Sequence, residues 1–102
     1  MKAKTTRLTK KNIATALARL GATSTNIAAS LKILKIRGTT MMSGMCPLAQ
    51  YLREMFDLSE HMDIYVNKIN AHVGPLNVPL TDAQIAFVQR FDGGDFPALI
   101  QH

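Results

Sequence analysis

Residues 24–56 decide the fold, and they have the sequence STNIAASLKILKIRGTTMMSGMCPLAQYLREMF. This stretch predicts two amphipathic helices joined by a loop that contains two glycines. In the first of these helices apolar residues recur at the spacing of one helix face, at Ile27, Ala28, Leu31 and Leu34. We expect Ser24 or Thr25 to cap its N-terminus, and Ile36 and Gly38 to end it.

The helix that follows the loop begins at the dipeptide Cys46-Pro47. Proline suits the first helical position, where its missing N–H leaves no hydrogen bond unmade, and Cys46 is then the N-cap. The most regular apolar face in the chain follows, at Leu48, Tyr51, Leu52, Met55 and Phe56. This pattern predicts a helix with one buried face.

One further helix precedes this pair. Thr9 is a suitable N-cap, and Gly21 gives a stop because glycine adopts the left-handed conformation at little cost. The apolar stripe between them consists of Ile13, Ala16, Leu17 and Leu20. Residues 1–8 are polar and basic without a hydrophobic period, so we expect a flexible arm there.

The chain changes character after residue 63, where apolar residues alternate with polar ones. The alternating sets are Ile64 and Val66, then Ile69, Ala71 and Val73, then Leu76, Val78 and Leu80. Alternation predicts strands with one buried face. The phase breaks at Asn67-Lys68, which requires a tight turn or a bulge, and Gly74-Pro75 marks another reversal. We expect an antiparallel sheet of two or three strands, with Pro79 on an edge strand.

A last helix is predicted from Thr81, which forms a capping box with Gln84. Its buried face consists of Phe87, Val88 and Phe91, with Ile85 beside it, and Gly93-Gly94 ends it. The segment DFPALI, residues 95–100, is too apolar for a free tail. We expect it to dock on the body through Phe96, Leu99 and Ile100.

The predicted order is three helices, two or three strands and a helix, which is an α+β fold. Residues 9–102 then form a single domain behind the arm. The first two helices have the outline of a helix-turn-helix unit, and the whole order fits a winged helix with an added helix. A layered α+β fold with helices on one face of a small sheet fits the order equally well.

Two separated motifs carry a resemblance. The pattern I-A-x-x-L-x-x-x-x-I-x-G with C-P-x-A-x-Y-L, here Ile27 to Gly38 and Cys46 to Leu52, resembles small uncharacterised proteins of actinobacteria and their phages. The ending F-V-x-R-F-D-x-G-x-F-P-x-L-I, here Phe87 to Ile100, is similar to the same group. The matches frame residues 24–102 and leave out the basic arm. The resemblance implies one integrated domain and supplies no catalytic residue.

Charge is divided unequally along the chain. Residues 1–53 contain no acidic residue and ten basic ones, whereas seven acidic residues from Glu54 onward are set against Lys68 and Arg90. The two parts therefore carry +10 and −5, which sum to the net charge of +5. This asymmetry favours a basic surface for nucleic acid or for an acidic partner. It is explained equally by two parts that offset each other, within a monomer or across a dimer.

The residues that we expect to contact a partner lie in the basic part. The basic candidates are Lys2, Lys4, Arg7, Lys10, Lys11, Lys32, Lys35 and Arg37. Three methionines fall in the loop from Thr39 to Met45, and Met41 and Met42 are candidate contacts because methionine adapts to irregular surfaces. The alternative is that these methionines fill gaps in the core.

Catalytic chemistry has little support in the sequence. Cys46 at a helix N-terminus could pair with His61 or His72, but neither spacing is diagnostic, and a small buried N-cap is the simpler interpretation. Cys46, His61, His72 and His102 lack the spacing of a metal site, and the chain has no phosphate-binding or dinucleotide motif. We expect no cofactor and no metal.

Two functions remain for a small, basic, non-enzymatic regulatory protein. One is contact with nucleic acid, mostly through phosphates and with weak sequence preference. The other is docking on an acidic protein surface as a regulator or inhibitor. No apolar run is long enough to span a membrane, and the basic N-terminus has no apolar segment of the secretory kind, so we expect a cytoplasmic location.

Overall fold

The computed structural model describes residues 9–40, 45–56, 63–67 and 69–100. Their elements are α1 (Lys10–Ala18), α2 (Ser24–Ile33), α3 (Pro47–Phe56), β1 (Ile64–Val66), β2 (Asn70–Val73), β3 (Leu76–Pro79), α4 (Asp82–Asp92) and a 3₁₀ turn (Pro97–Leu99). The α+β prediction is confirmed, and so is its order. No helix in the described part of the chain is long and apolar enough to cross a membrane. The arm at residues 1–8 lies outside the described part.

Threonine caps three of the helices. The Thr9 hydroxyl accepts from the amide of Asn12 at 3.1 Å, and the Thr23 hydroxyl accepts from that of Asn26 at 3.1 Å. Thr81 forms the predicted capping box with Gln84. The prediction of Ser24 or Thr25 as the cap of α2 is wrong. Thr23 has the extended backbone that an N-cap needs, and Ser24 is already helical.

The α1 and α2 segments are related by an internal repeat. Residues 9–20 and 23–34 are offset by 14, and the same residue recurs at the pairs Thr9/Thr23, Asn12/Asn26, Ile13/Ile27, Ala14/Ala28, Leu17/Leu31 and Leu20/Leu34. The repeat sets the cap and the apolar stripe of each helix. The two stripes differ at their ends, because Leu20 is 3% exposed and Leu34 is 51% exposed. The prediction that Leu34 is buried is therefore wrong.

The end of α2 is a left-handed turn at Lys35, which has a φ of 61°. The amide of Ile36 donates to the carbonyl of Leu31, and that of Lys35 donates to the carbonyl of Lys32. These two bonds define a Schellman motif, a helix ending in which glycine is the usual left-handed residue. The helix thus ends before Ile36 and Gly38, contrary to the sequence prediction, and Ile36 turns back to pack against the core.

Gly38 is a junction between distant segments. Its amide donates to the Leu99 carbonyl at 2.8 Å, and it forms a parallel bridge with Ile100. A Cβ at this position would overlap the Met45 carbonyl oxygen and lie 2.5 Å from the nitrogen of Pro47. Glycine is required here by close packing against the start of α3 and not by a helix stop.

α3 packs against α1 and β1, and its buried residues are Pro47, Leu48, Ala49, Tyr51 and Leu52. Met55, expected on the buried face, is 40% exposed. The exposed stripe of α3 is narrow and includes Glu54, so this helix does not present the basic surface of a recognition helix.

The sheet has the order β1-β2-β3, and all its pairs are antiparallel. Asn67 forms the predicted turn, because its side-chain oxygen accepts from the amides of Ile69 and Asn70. Ile69 therefore lies in the turn, 60% exposed, and not on a buried strand face as expected. Gly74, with a φ of 59°, makes the second reversal, and Pro79 lies on an edge strand as predicted.

The C-terminal segment closes the core. Phe96 stacks on Phe87 with ring centroids 5.4 Å apart, and Leu99 is buried. Ile100 also packs on the core, so the predicted docking of this segment is confirmed. One cluster of buried residues runs from Ile13 to Leu99 and takes side chains from all four helices and all three strands.

Candidate interaction surface

The cations predicted to contact a partner fall into three sets. Lys2, Lys4 and Arg7, like the candidate contacts Met41 and Met42, lie outside the described residues. Lys10 and Lys11 are exposed in the first turn of α1. The third set is exposed at and beyond the last turn of α2 and consists of Lys32, Lys35 and Arg37.

The structure does not join the second and third sets through their helices. α1 packs against α3 and β3, whereas α2 packs against α4 and the 3₁₀ turn. The cations of α1 and those at the end of α2 therefore belong to helices with different packing partners. The compact set is the third, because its three cations fall within six consecutive residues.

Two large apolar side chains lie inside this compact set. Ile33 is 80% exposed and Leu34 is 51% exposed. We define the α2 patch as these two residues with the three cations around them: Lys32, Ile33, Leu34, Lys35 and Arg37. Sequence reasoning singled out its cations but missed its apolar pair. The internal repeat gives no signal for that pair, because Leu34 matches Leu20, which is buried, and Ile33 matches Arg19.

The cations of the patch have no ion-pair partner within the described part of the chain. Arg90, by contrast, is held by its own contacts. Its Nε donates to Asp95 at 3.1 Å, its Nη1 donates to the Ser24 hydroxyl at 2.8 Å, and its guanidinium lies 4.8 Å from the ring centre of Phe96. Arg90 therefore ties α4 to α2 and the C-terminal segment, whereas the patch cations are exposed and form no such ion pair with any described residue.

Cys46 has the environment of a structural residue. It is 3% exposed, and burial raises the pKa of its thiol from 9.0 to about 11, although hydrogen bonds from the Ala49 and Leu48 amides act in the opposite direction. Those two bonds are the contacts of an N-cap, as the sequence predicted. A thiol with so high a pKa is protonated at neutral pH and is a poor nucleophile.

Of the three histidines, only His72 lies within the described residues, and it is not placed as a base for Cys46. His72 lies on the outer face of the sheet, where its ring stacks on Tyr65 with centroids 4.3 Å apart and its Nε2 lies 3.3 Å from the side-chain Nδ2 of Asn67. His61 and His102 lie outside the described residues. Among the residues that are described, no group of three or more metal-ligating side chains comes together.

Comparisons with known proteins add no family to this description. No protein-family model matches the chain, and no curated protein or solved structure is similar enough to count as a match.

Proposed function

We propose that this chain is a small cytoplasmic binding protein of regulatory type, which docks through the basic α2 patch on an acidic protein surface. The observation that carries the proposal is the composition of the patch. Three exposed cations, which have no ion pair within the described residues, surround two exposed apolar residues. Charge complementarity brings an acidic surface into register and speeds association, while buried apolar contacts slow dissociation.

Nucleic acid is the second candidate, and the charge distribution favours it. The described residues 9–40 and 45–53 contain no carboxylate that would repel a phosphate backbone. Against it, α3 presents no basic face, and phosphates make no use of exposed isoleucine and leucine side chains. Binding to nucleic acid would then be non-specific and strongly dependent on salt.

The experiment compares two anionic probes, poly-glutamate and random duplex DNA, at several salt concentrations that begin near 50 mM. The variant Lys32→Glu with Lys35→Glu reverses the charge of the patch, and Lys10→Glu with Lys11→Glu is the matched control on α1. We expect binding to poly-glutamate that the patch variant weakens by about tenfold or more and the control weakens less.

Two results would contradict the proposal. Tighter binding to DNA, with log affinity falling linearly against log salt at about −0.9 per phosphate contact, would replace it with the nucleic-acid function. No binding to either probe at micromolar protein would remove both functions.

A further inference from the structure

We infer that Ile33 and Leu34 are the anchor of the docking surface and that their partner presents an apolar pocket rimmed by carboxylates. This inference rests on the proposed function and names the chemistry of the partner. A few side chains carry most of the affinity of a protein interface, and they lie in well-packed pockets from which water is excluded. Flanking charges at the rim contribute orientation and rate.

The internal repeat supplies the first argument. In the α1 segment the last leucine of the repeat, Leu20, is buried, and its carbonyl accepts a 2.7 Å hydrogen bond from Ser30 of α2. Ser30 of α2 thus contacts the backbone at the end of the first unit. The matching Leu34 is 51% exposed, with Ile33 exposed beside it. The second unit therefore ends in an exposed apolar pair, whereas the first ends in Arg19 and a buried leucine.

The backbone supplies the second argument. The left-handed turn at Lys35 directs the chain from exposed Leu34 back to Ile36, which packs on the core. Ile33 and Leu34 are therefore held at the outer side of a hydrogen-bonded turn and do not lie on a loose loop. A lysine occupies the position where glycine fits at lower conformational cost. A role for the Lys35 ammonium group on the docking surface accounts for lysine in place of glycine at this position.

Charge supplies the third argument and selects the partner. Lys32, Lys35 and Arg37 lie on both sides of the apolar pair and have no ion pair within the described chain. An apolar pocket alone would leave these cations without partners, and a phosphate backbone alone would leave the apolar pair in water. A protein pocket rimmed by aspartate or glutamate satisfies both.

The experiment selects peptides from a random 12-residue display library on the full chain, with random duplex DNA as the parallel probe. Selected peptides are then measured against three variants. Ile33→Ser and Leu34→Asn remove the anchor residues one at a time. Ile69→Ser is the matched control, because Ile69 is 60% exposed on the turn between β1 and β2 and is not part of the patch. All three sites are exposed, and thermal unfolding checks that each variant folds.

We expect the selected peptides to combine large apolar residues with carboxylates. Ile33→Ser and Leu34→Asn should each weaken their binding about tenfold or more, and Ile69→Ser should leave it unchanged. Acidic peptides without apolar residues, whose binding depends on Lys32 and Lys35 but not on Ile33, would overturn the anchor and leave the proposed function standing. Recovery of no peptide, with DNA bound at micromolar protein, would overturn both.

Discussion

The hydroxyl of Tyr51 in α3 donates a 2.7 Å hydrogen bond to the carbonyl oxygen of Ala16 in α1. Four residues beyond Ala16, the amide of Leu20 bonds to Leu17 instead. The Ala16 carbonyl is thus one of the carbonyls that a helix end leaves without a backbone partner, and Tyr51 satisfies it across the α1–α3 contact. Both residues are buried, so water does not replace the tyrosine.

Tyr51→Phe should lower the free energy of unfolding by about 1–3 kcal/mol, because it leaves that buried carbonyl without a donor. Urea unfolding followed by circular dichroism measures the change. Tyr65→Phe is the control, since Tyr65 is an exposed ring on the outer face of the sheet, and it should change stability by less than about 0.5 kcal/mol. Equal effects of the two substitutions would show that the Tyr51 bond does not contribute.

Gly38→Ala should destabilise the protein by about 1–3 kcal/mol or more, since its Cβ would meet the backbone at Met45 and Pro47, which has little freedom to move. Gly93→Ala is matched to it. The nearest atom to a Cβ at Gly93 is 3.5 Å away, and its φ of −82° suits any residue. The free energy of unfolding of that variant should lie within about 0.5 kcal/mol of the parent's, or slightly above it. If Gly38→Ala is as stable as Gly93→Ala, Gly38 does not lie so close to the start of α3.

The buried thiol of Cys46 predicts a loss of stability in alkali. Its pKa is raised in the folded state, so this contribution is intact below the unfolded value of 9.0 and is lost as the pH rises towards about 11. Over that window the free energy of unfolding should fall by about 2–3 kcal/mol from this group.

Cys46→Ser isolates that contribution. Serine keeps the cap and does not ionise between pH 9 and 11. The parent should therefore lose stability relative to Cys46→Ser over that range. The folded parent should also react slowly with a thiol reagent at neutral pH. Rapid modification of the folded protein would contradict the buried cap and revive a reactive cysteine.

Lys35→Gly should raise the free energy of unfolding by about 0.5–1 kcal/mol. Glycine removes the strain of a left-handed lysine, and part of the gain is offset by the greater freedom of glycine in the unfolded chain. Lys35→Ala, which removes the same charge but keeps a Cβ, should not show this gain. Thermal or urea unfolding of both variants decides, and equal stability of the two would argue against the left-handed turn.

Local pattern was sufficient to predict most of the fold. The spacing from Ile13 to Leu20, the capping box at Thr81 and the turn at Gly74-Pro75 depend on neighbours in sequence, and each was confirmed. The predicted cap of α2, Ser24 or Thr25, was one or two residues too late, because Thr23, Ser24 and Thr25 are all good caps and only the backbone distinguishes them.

The predictions that failed depend on tertiary contacts. Leu34, Met55 and Ile69 are apolar residues at positions where the sequence pattern predicts burial, but all three are exposed. Periodicity places a residue on one face of an element and does not show whether a neighbouring element covers it. Gly38 was taken for a helix stop because its contact with Leu99 and Pro47 joins distant parts of the chain. The α2 patch was half predicted for the same reason, since charge is visible in a sequence and exposure is not.

The bond from the Gly38 amide to the Leu99 carbonyl also bears on the order of folding. It joins residues 61 positions apart, and contacts of such separation form late because a long loop must first be closed. During synthesis Gly38 leaves the ribosome well before Leu99 does, so the Gly38–Leu99 bond stays open until the end of the chain arrives. A nascent chain halted before the 3₁₀ turn should therefore be cleaved by protease near Gly38, at a site that the finished protein protects.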